Sequence, residues 1–305
     1  MNSVHEREPH KRFISLPEGI FHYLDWHGDG LQMHLLHANG FCAGTYTPFV
    51  KHLYNKYHIF ASDVRGHGNS IFPGTERIRN WEIFAADLRV IIEKAMTPPV
   101  IGMGHSLGAV TTYIAAAKYP HLFSCIILLD PVIFPRQEIQ RISLNRKQGL
   151  GNDSPLAKGA RMRKRTFESK QAALSRFAAG HKIFKTWSRE FVEAYLECGL
   201  LVKDSKTAIL RCDPELEAQI FESVPINVWD YADKISCPVL ALRGEKSNTF
   251  VPEAARNLQD IIPGATVVTV PDAGHFVPME KPEECAAGIA DFIDRTVRTA
   301  YNRAP

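Results

Sequence analysis

The 305-residue sequence lacks several features that would define a narrower class of protein. No hydrophobic run approaches the length of a membrane span, and residues 1–12 contain no apolar segment behind a basic start. We therefore expect no secretory signal, no membrane span and, by default, a cytoplasmic protein. The net charge of +3 is mild and no recognised nucleic-acid-binding motif is present, which argues against a nucleic-acid partner.

The six cysteines also lack any pattern of their own. They lie far apart, form no C-x-x-C pair, and have no histidines beside them at zinc-finger spacing. We interpret them as reduced thiols inside a cell, and we predict neither a metal site nor a cofactor. The cysteines are Cys42, Cys125, Cys198, Cys212, Cys237 and Cys285.

Most of the chain alternates between short apolar runs and longer stretches of helical spacing, which predicts a parallel sheet with crossover helices. The alternation stops between about 135 and 230, where the sequence indicates helices only. We predict an α/β core domain made of 1–134 and 231–305, with an all-helical cap inserted at 135–230. The predicted strands are 20–26, 32–38, 57–64, 99–105, 125–132, 238–244 and 266–274, and the predicted helices are 80–96, 107–118, 252–261 and 282–299.

The sequence Gly104-His105-Ser106-Leu107-Gly108 lies between a predicted strand and an alanine-rich predicted helix. In this G-x-S-x-G setting, the glycines allow a turn sharp enough to lift the serine hydroxyl clear of the backbone. The amide of Leu107 then lies at a helix N-terminus, where it can donate to a developing oxyanion. We predict Ser106 as a nucleophile. The alternative is a glycine-bounded turn that contains a serine by chance.

Together with two further motifs, this segment resembles the α/β-hydrolase family over roughly 20–134 and 231–299. The segment 37–41, HANGF, resembles the family's oxyanion loop, and 272–276, DAGHF, resembles its catalytic-histidine loop. The resemblance implies a mostly parallel sheet flanked by helices, with His275 as general base.

The oxyanion loop departs from the family's more usual His-Gly-x. The resemblance implies that the backbone amides of Asn39 and Leu107 are the oxyanion donors, and Gly40 replaces Asn39 if the loop is offset by one residue. A tight structural turn is the alternative. Asp63 and His67 lie in a third motif, 63–70, which is mainly architectural in the family, and we assign them no chemistry.

The third member of a Ser-His-acid triad is not where the family usually has it. The turn at 244–250 has Ser247 or Asn248 at the usual position of the carboxylate. Some relatives, haloalkane dehalogenases among them, carry the acid at the end of the preceding core strand, which in this chain ends in Asp130. A carboxylate that closes an apolar strand needs a partner, so we predict Asp130 as the acid. Glu245 and Asp272 are the fallbacks, and a structural capping role for Asp130 is the alternative.

These residues predict a cofactor-free serine hydrolase that cleaves an ester, thioester or related acyl bond of a small, largely apolar substrate. The alternatives are an acyltransferase or lyase with the same site and an inactive ligand-binding relative. Serine at the turn argues against a dehalogenase or epoxide hydrolase, which use a carboxylate nucleophile. The basic run at 161–165, RMRKR, is interpreted as a solvated face rather than an anion-binding site. A monomer or a homodimer is compatible with the sequence.

Overall fold

The computed structural model describes residues 7–74, 76–149, 154–179, 182–204 and 206–298. Residues 1–6, which belong to the segment 1–12 in which we expect no secretory signal, lie outside the described residues. The strands are β1 (His10–Leu16), β2 (Gly19–Trp26), β3 (Leu31–Leu36), β4 (Tyr57–Ser62), β5 (Val100–His105), β6 (Phe123–Leu129), β7 (Thr166–Phe167), β8 (Leu200–Asp204), β9 (Thr207–Leu210), β10 (Val239–Gly244) and β11 (Thr266–Val270). The helices are α1 (Thr47–Val50), α2 (Glu82–Ala95), α3 (Leu107–Lys118), α4 (Arg136–Lys147), α5 (Pro155–Arg161), α6 (Lys170–Ala178), α7 (Arg189–Gly199), α8 (Pro214–Glu222), α9 (Pro252–Ile261), α10 (Val277–Glu280) and α11 (Pro282–Ile293).

Shorter helical turns cover Ala43–Tyr46, Pro120–Leu122, Lys182–Thr186, Val228–Lys234 and Asp294–Arg298. None of the helices in the described ranges combines the length and the hydropathy needed to cross a membrane.

Eight strands form the central sheet in the order β1-β2-β4-β3-β5-β6-β10-β11. β2 is antiparallel to both β1 and β4, and the remaining pairs are parallel. This confirms the predicted α/β fold with a mostly parallel sheet. The carboxyl ends of β5, β6 and β10 therefore lie at one edge, which is where open α/β sheets bind their ligands.

Alternate residues of the central strands enter two separate cores. Ile127 and Leu129 of β6 pack with α11 and with aromatic side chains of the segment 135–230. Ile126 and Leu128 pack on the other face, with α2, α3 and α9. Because successive side chains of a strand point to opposite faces, burial on both faces requires the continuous apolar runs that the sequence shows.

The segment between β6 and β10 differs from the prediction of an all-helical insertion. Its described residues form five α-helices and two shorter helical turns, but also a small antiparallel sheet in the order β7-β9-β8. These strands contain only 2, 4 and 5 residues, too few for a periodic pattern to stand out from the helical sequence around them. The predicted strands also omit β1, a mostly exposed edge strand whose sequence HKRFISL contains no apolar run.

A disulfide corrects the interpretation of all six cysteines as reduced thiols. Cys42 and Cys198 are bonded, with their Cα atoms 6.4 Å apart. They are separated by 156 residues in the sequence, so no local spacing could reveal the pair. The bond joins the loop after β3 to α7 of the insertion. The other four cysteines carry free thiols.

The arginines of the basic run 161–165 are paired with acidic residues near α8 rather than forming a free cationic face. Arg161 pairs with Glu215 and Glu222, each with an N–O distance of 2.7 Å or less. Arg163 lies 2.6 Å from Glu217, and both side chains are largely buried, at 18% and 10% exposed. The run therefore holds the insertion together.

Candidate active site

Ser106 lies in the sharp turn between β5 and α3, with φ of 55° and ψ of −111°. A non-glycine residue rarely adopts positive φ, so the surrounding structure must hold this conformation. The two flanking glycines are required sterically. A Cβ atom at Gly104 would lie 2.2 Å from the carbonyl oxygen of Gly108, and one at Gly108 would lie 2.1 Å from that of Leu36. The serine is 8% exposed at the carboxyl edge of the sheet.

His275 follows β11 and lies beside the serine. Its Nε2 is 3.0 Å from Oγ of Ser106, and its Nδ1 is 2.7 Å from Oδ1 of Asp130. With Nδ1–H donating to the carboxylate, the lone pair of Nε2 is directed at the serine hydroxyl. The structure thus brings together the three residues that the sequence predicts as a triad.

Asp130 is fully buried at the end of β6, with φ of 41°. Besides the contact to His275, Oδ2 accepts a hydrogen bond from the amide of Gly244 at 2.8 Å, and Oδ1 accepts one from the Ser247 hydroxyl at 2.6 Å. These hydrogen bonds satisfy a carboxylate that is otherwise buried among apolar side chains. Gly244 is the last residue of β10, and Ser247 lies in the turn that follows it.

Ser247 is a functional candidate that the sequence interpretation noted only as a missing carboxylate. Ser247 could have been identified from its position, because it lies in the turn where the family usually carries the acid. Here the turn supplies a hydroxyl that binds the carboxylate of the neighbouring strand, so the two possible acid positions are connected by one hydrogen bond.

The fallback residues are occupied elsewhere. Glu245 is exposed, and its Oε2 accepts the backbone amide of Asp272 at 3.0 Å. The Asp272 carboxylate pairs with Lys246 at 2.9 Å and is 73% exposed. Asn248 is also exposed.

The predicted oxyanion donors lie on either side of the elbow. Among the described residues, no hydrogen bond is donated by the backbone amide of Asn39 or of Leu107. The amide of Gly40, by contrast, donates to Nε2 of His67 at 3.1 Å. Gly40 therefore has a partner already, and the free amides are those of Asn39 and Leu107.

Two neutral histidines hold this loop. Burial lowers the pKa of His37 to about 3, aided by the neighbouring His67, and burial lowers the pKa of His67 to about 4. Nε2 of His37 accepts the amide of Val64 at 2.9 Å, and its Nδ1–H donates to the carbonyl of Ala38 at 2.7 Å. His67, to which the sequence assigned no chemistry, acts through Gly40 as a support for the oxyanion loop.

A chain of buried hydrogen bonds connects the oxyanion loop with the histidine loop. The amide of Ala38 donates to the hydroxyl of Tyr46 at 3.0 Å, and this hydroxyl donates to Nδ1 of His105 at 2.7 Å. Nε2 of His105 donates to the carbonyl of His275 at 2.9 Å. Burial lowers the pKa of His105 well below its usual value, so the ring is neutral and carries the single N–H that this chain requires.

Aromatic side chains of the insertion pack over the histidine loop. The ring centroid of Trp187 is 5.6 Å from that of Phe276, which follows His275, and 5.4 Å from that of Phe41 in the oxyanion loop. A cavity of only about 10 Å³, lined by Gly40, Phe41, Arg163 and Tyr195 among others, lies beside this contact. This is room for about one water molecule, so the aromatic side chains are closely packed here.

Comparisons with known proteins agree with this architecture. The abhydrolase domain-containing protein AKT2 of Alternaria alternata is 28% identical over 230 residues, which cover 68% of this chain and 87% of that protein. The 2-(acetamidomethylene)succinate hydrolase of Mesorhizobium japonicum is 26% identical over 268 residues, covering 88% of this chain and 89% of that protein.

A solved structure of E-2-(acetamidomethylene)succinate hydrolase superposes with a TM-score of 0.76 at 23% identity, covering 94% of this chain and 99% of the other. At that identity the likeness shows the fold alone. The family model described as the alpha/beta hydrolase fold matches residues 34–282, from within β3 to the first residue of α11. The chain therefore belongs to the α/β-hydrolase family.

Proposed function

We propose that the protein is a serine hydrolase of the carboxylesterase type, which cleaves an ester, thioester or related acyl bond through an acyl-Ser106 intermediate. The observation that carries the proposal is the connected series from Ser106 Oγ to His275 Nε2, at 3.0 Å, and from His275 Nδ1 to Asp130 Oδ1, at 2.7 Å. A nucleophile, a base and an orienting acid in hydrogen-bond contact form the arrangement that activates serine in acyl transfer.

In the first half-reaction, Oγ of Ser106 attacks the carbonyl carbon while its proton passes to Nε2 of His275. Asp130 keeps the imidazole in the tautomer that accepts this proton and stabilises the imidazolium that results. Charge develops on the carbonyl oxygen, and the amides of Asn39 and Leu107 donate to it. Removal of one such donor costs about a hundredfold to a thousandfold in rate in a well-studied protease.

Collapse of the tetrahedral intermediate breaks the bond to the leaving group, which takes the proton from His275. In the second half-reaction, His275 removes a proton from water while the water oxygen attacks the acyl carbon. The bond from that carbon to Oγ of Ser106 then breaks as Oγ takes the proton from His275, which releases the acid. The atoms balance with water as the only co-reactant.

The surroundings support a small and largely apolar acyl group. Phe41, Trp187 and Phe276 contact one another beside the proposed base, and Trp187 is only 8% exposed. Its Nε1 is buried and has no hydrogen-bond acceptor among the described residues. We infer that the substrate places an apolar group here with an acceptor oxygen in reach of the indole.

The proposal is tested with a p-nitrophenyl ester and a fluorophosphonate probe. The wild-type protein is expected to release a burst of nitrophenolate equal to the enzyme concentration and to gain the mass of one phosphonyl group on Ser106. Ser106→Ala should lose both. A burst and label retained in Ser106→Ala would overturn the proposal.

Acyl transfer is the second candidate, because Ser106 is only 8% exposed, which limits the access of bulk water. The same acyl-serine would then react with an alcohol or amine. Product ratios measured with and without added acceptors distinguish the two reactions. A protein that binds substrate but shows no burst would instead be a ligand-binding relative.

A further inference from the structure

A cluster of imidazole and carboxylate groups lies outside the candidate active site. Asp25 and His27 belong to the end of β2 and the residue just beyond it, and His58 is near the start of β4. One ligand atom from each of the three lies within 4.8 Å of the other two. Nε2 of His58 is 2.8 Å from Oδ1 of Asp25, and Nε2 of His27 is 3.3 Å from Oδ2.

Sheet register explains why these side chains meet. Asp25 pairs with Phe60 across β2 and β4, and with His10 across β1 and β2. Because side chains two residues apart share a face of a strand, His27 lies on the face of Asp25, and His58 lies on the face of Phe60. His10 joins the same face, with its Nδ1 2.9 Å from Nε2 of His27.

We propose that Asp25, His27 and His58 bind a zinc ion. Two imidazoles and one carboxylate are ligands that zinc prefers, and a tetrahedral ion with bonds of about 2.0–2.1 Å needs ligand atoms about 3.3 Å apart. The distances from Asp25, 2.8 Å to Nε2 of His58 and 3.3 Å to Nε2 of His27, are close to this value. A water completes the four ligands, and His27 and His58 each bind through Nε2 with the proton on Nδ1.

The burial of the three groups fits a site that is partly formed before the ion arrives. The side chain of Asp25 is 7% exposed and that of His58 is 17% exposed, so both are held by the sheet, whereas His27 is 51% exposed and leaves a path for entry. The ring of His58 is further fixed by stacking on Phe60, with centroids 4.3 Å apart.

Two arginines oppose the ion and limit its affinity. Nε of Arg12 is 4.0 Å from Oδ2 of Asp25, and the guanidinium of Arg7 donates to the backbone carbonyl of His27. Arg12 competes with zinc for the same carboxylate, so Arg12→Gln should bind zinc several-fold more tightly.

The site lies at the edge of the sheet opposite Ser106. His58 is near the amino end of β4, whereas the serine follows the carboxyl end of β5, and these strands run in the same direction. A bound ion would join β2 and β4. The expected effect is stabilisation of this edge of the sheet without a role in the reaction.

The inference is tested on untagged, metal-stripped full-length protein by calorimetric titration with zinc chloride and by thermal melting. The wild-type protein should bind one zinc ion and melt at a higher temperature in its presence, with no response to magnesium. Asp25→Asn, His27→Ala and His58→Ala should each weaken binding by about tenfold or more and lose the thermal shift.

Two histidine variants serve as matched controls. His121→Ala removes an exposed histidine on another loop, and His275→Ala removes the proposed catalytic base. Both should bind zinc as the wild-type protein does. The inference is overturned if the wild-type protein binds no zinc, if His58→Ala binds it unchanged, or if binding is lost in His275→Ala instead.

Discussion

The hydroxyl of Ser247 donates a hydrogen bond of 2.6 Å to the carboxylate of Asp130, across the carboxyl ends of two neighbouring strands. Ser247 occupies the turn in which this family more usually places its acid, and Asp130 occupies the alternative position. Ser247 therefore holds the carboxylate of Asp130, the proposed acid, on the neighbouring strand. Its Oγ also accepts the amide of Thr249 at 3.1 Å, which fixes the turn.

Ser247→Ala should lower kcat by about tenfold, because loss of a hydrogen bond to a charged group costs about 1.5–3 kcal/mol and Asp130 keeps its other two partners. KM should change little if Ser247 only positions Asp130. Steady-state kinetics with a p-nitrophenyl ester provide the measurement. Asn248→Ala, at the exposed neighbouring position, is the control and should match the wild-type protein. If Ser247→Ala and Asn248→Ala had the same kcat, Ser247 would have no role in positioning Asp130.

Tyr46→Phe should destabilise the protein and lower kcat. The change leaves the amide of Ala38 without its acceptor and Nδ1 of His105 without its donor, and a buried unsatisfied group costs about 1–3 kcal/mol. Urea unfolding and ester kinetics measure the two effects.

Tyr113→Phe is the matched control for this loss of a hydroxyl. Tyr113 is equally buried, but its hydroxyl has no partner among the described residues. Its removal should leave stability unchanged or slightly higher. If the two variants had the same stability and activity, the connection from Tyr46 to the histidine loop would contribute nothing.

The protein should lose stability as the pH falls below about 6.5, the ordinary pKa of histidine. Burial lowers the pKa of His34 to about 3 and that of His67 to about 4. Between these values and 6.5 the unfolded chain binds protons that the folded chain does not, so acid favours unfolding by up to about 1.4 kcal/mol per pH unit for each such histidine.

This dependence is measured as the free energy of unfolding in urea at pH 7.0, 6.0 and 5.0. His34→Gln should reduce the slope by about one proton, because the substituted residue does not titrate. His121→Gln, at an exposed site, should leave the slope unchanged. An unaltered slope in His34→Gln would contradict the assignment of a neutral buried ring.

Thiol titration of the denatured, unreduced protein should give four reactive cysteines rather than six, because Cys42 and Cys198 are bonded. Reduction, or Cys198→Ser, should lower stability by about 2–4 kcal/mol, since the bond closes a long loop between the core and the insertion. Cys237→Ser removes a free thiol and is the control. Six thiols before reduction would show that the bond does not form.

Local patterns in the sequence were sufficient for the central strands and for Ser106. The runs at β5 and β6 are apolar because both faces are buried, and the elbow depends on glycines only two residues from the serine. The apolar strands and the turn at Ser106 each depend on a few neighbouring residues, so both can be predicted without knowledge of the rest of the chain.

Contacts between distant segments were not accessible in this way. The Cys42–Cys198 bond and the support of Gly40 by His67 depend on how separate segments meet after folding. The strands β7, β8 and β9 are too short to show the alternation of apolar and polar residues that is typical of a strand. The strand β1 is mostly exposed, so its sequence does not show this alternation either. Asp130 was predictable from two features together: the alternative acid position of some relatives and the presence of a carboxylate at the end of an apolar strand.

Asp130→Asn is the decisive substitution for the proposed series Ser106–His275–Asp130. The asparagine is isosteric and retains an oxygen for the amide of Gly244, but it cannot hold His275 in the required tautomer. Thermal melting should first show that the variant is folded.

The rate of acyl-enzyme formation by Asp130→Asn, measured by stopped flow with a p-nitrophenyl ester, should then be about a thousandfold to ten-thousandfold below that of the wild-type protein. The parallel variant Asp272→Asn, at the exposed fallback position, should acylate at the wild-type rate. A folded Asp130→Asn that acylates within a few-fold of the wild-type rate would contradict the assignment, as would a large loss in Asp272→Asn.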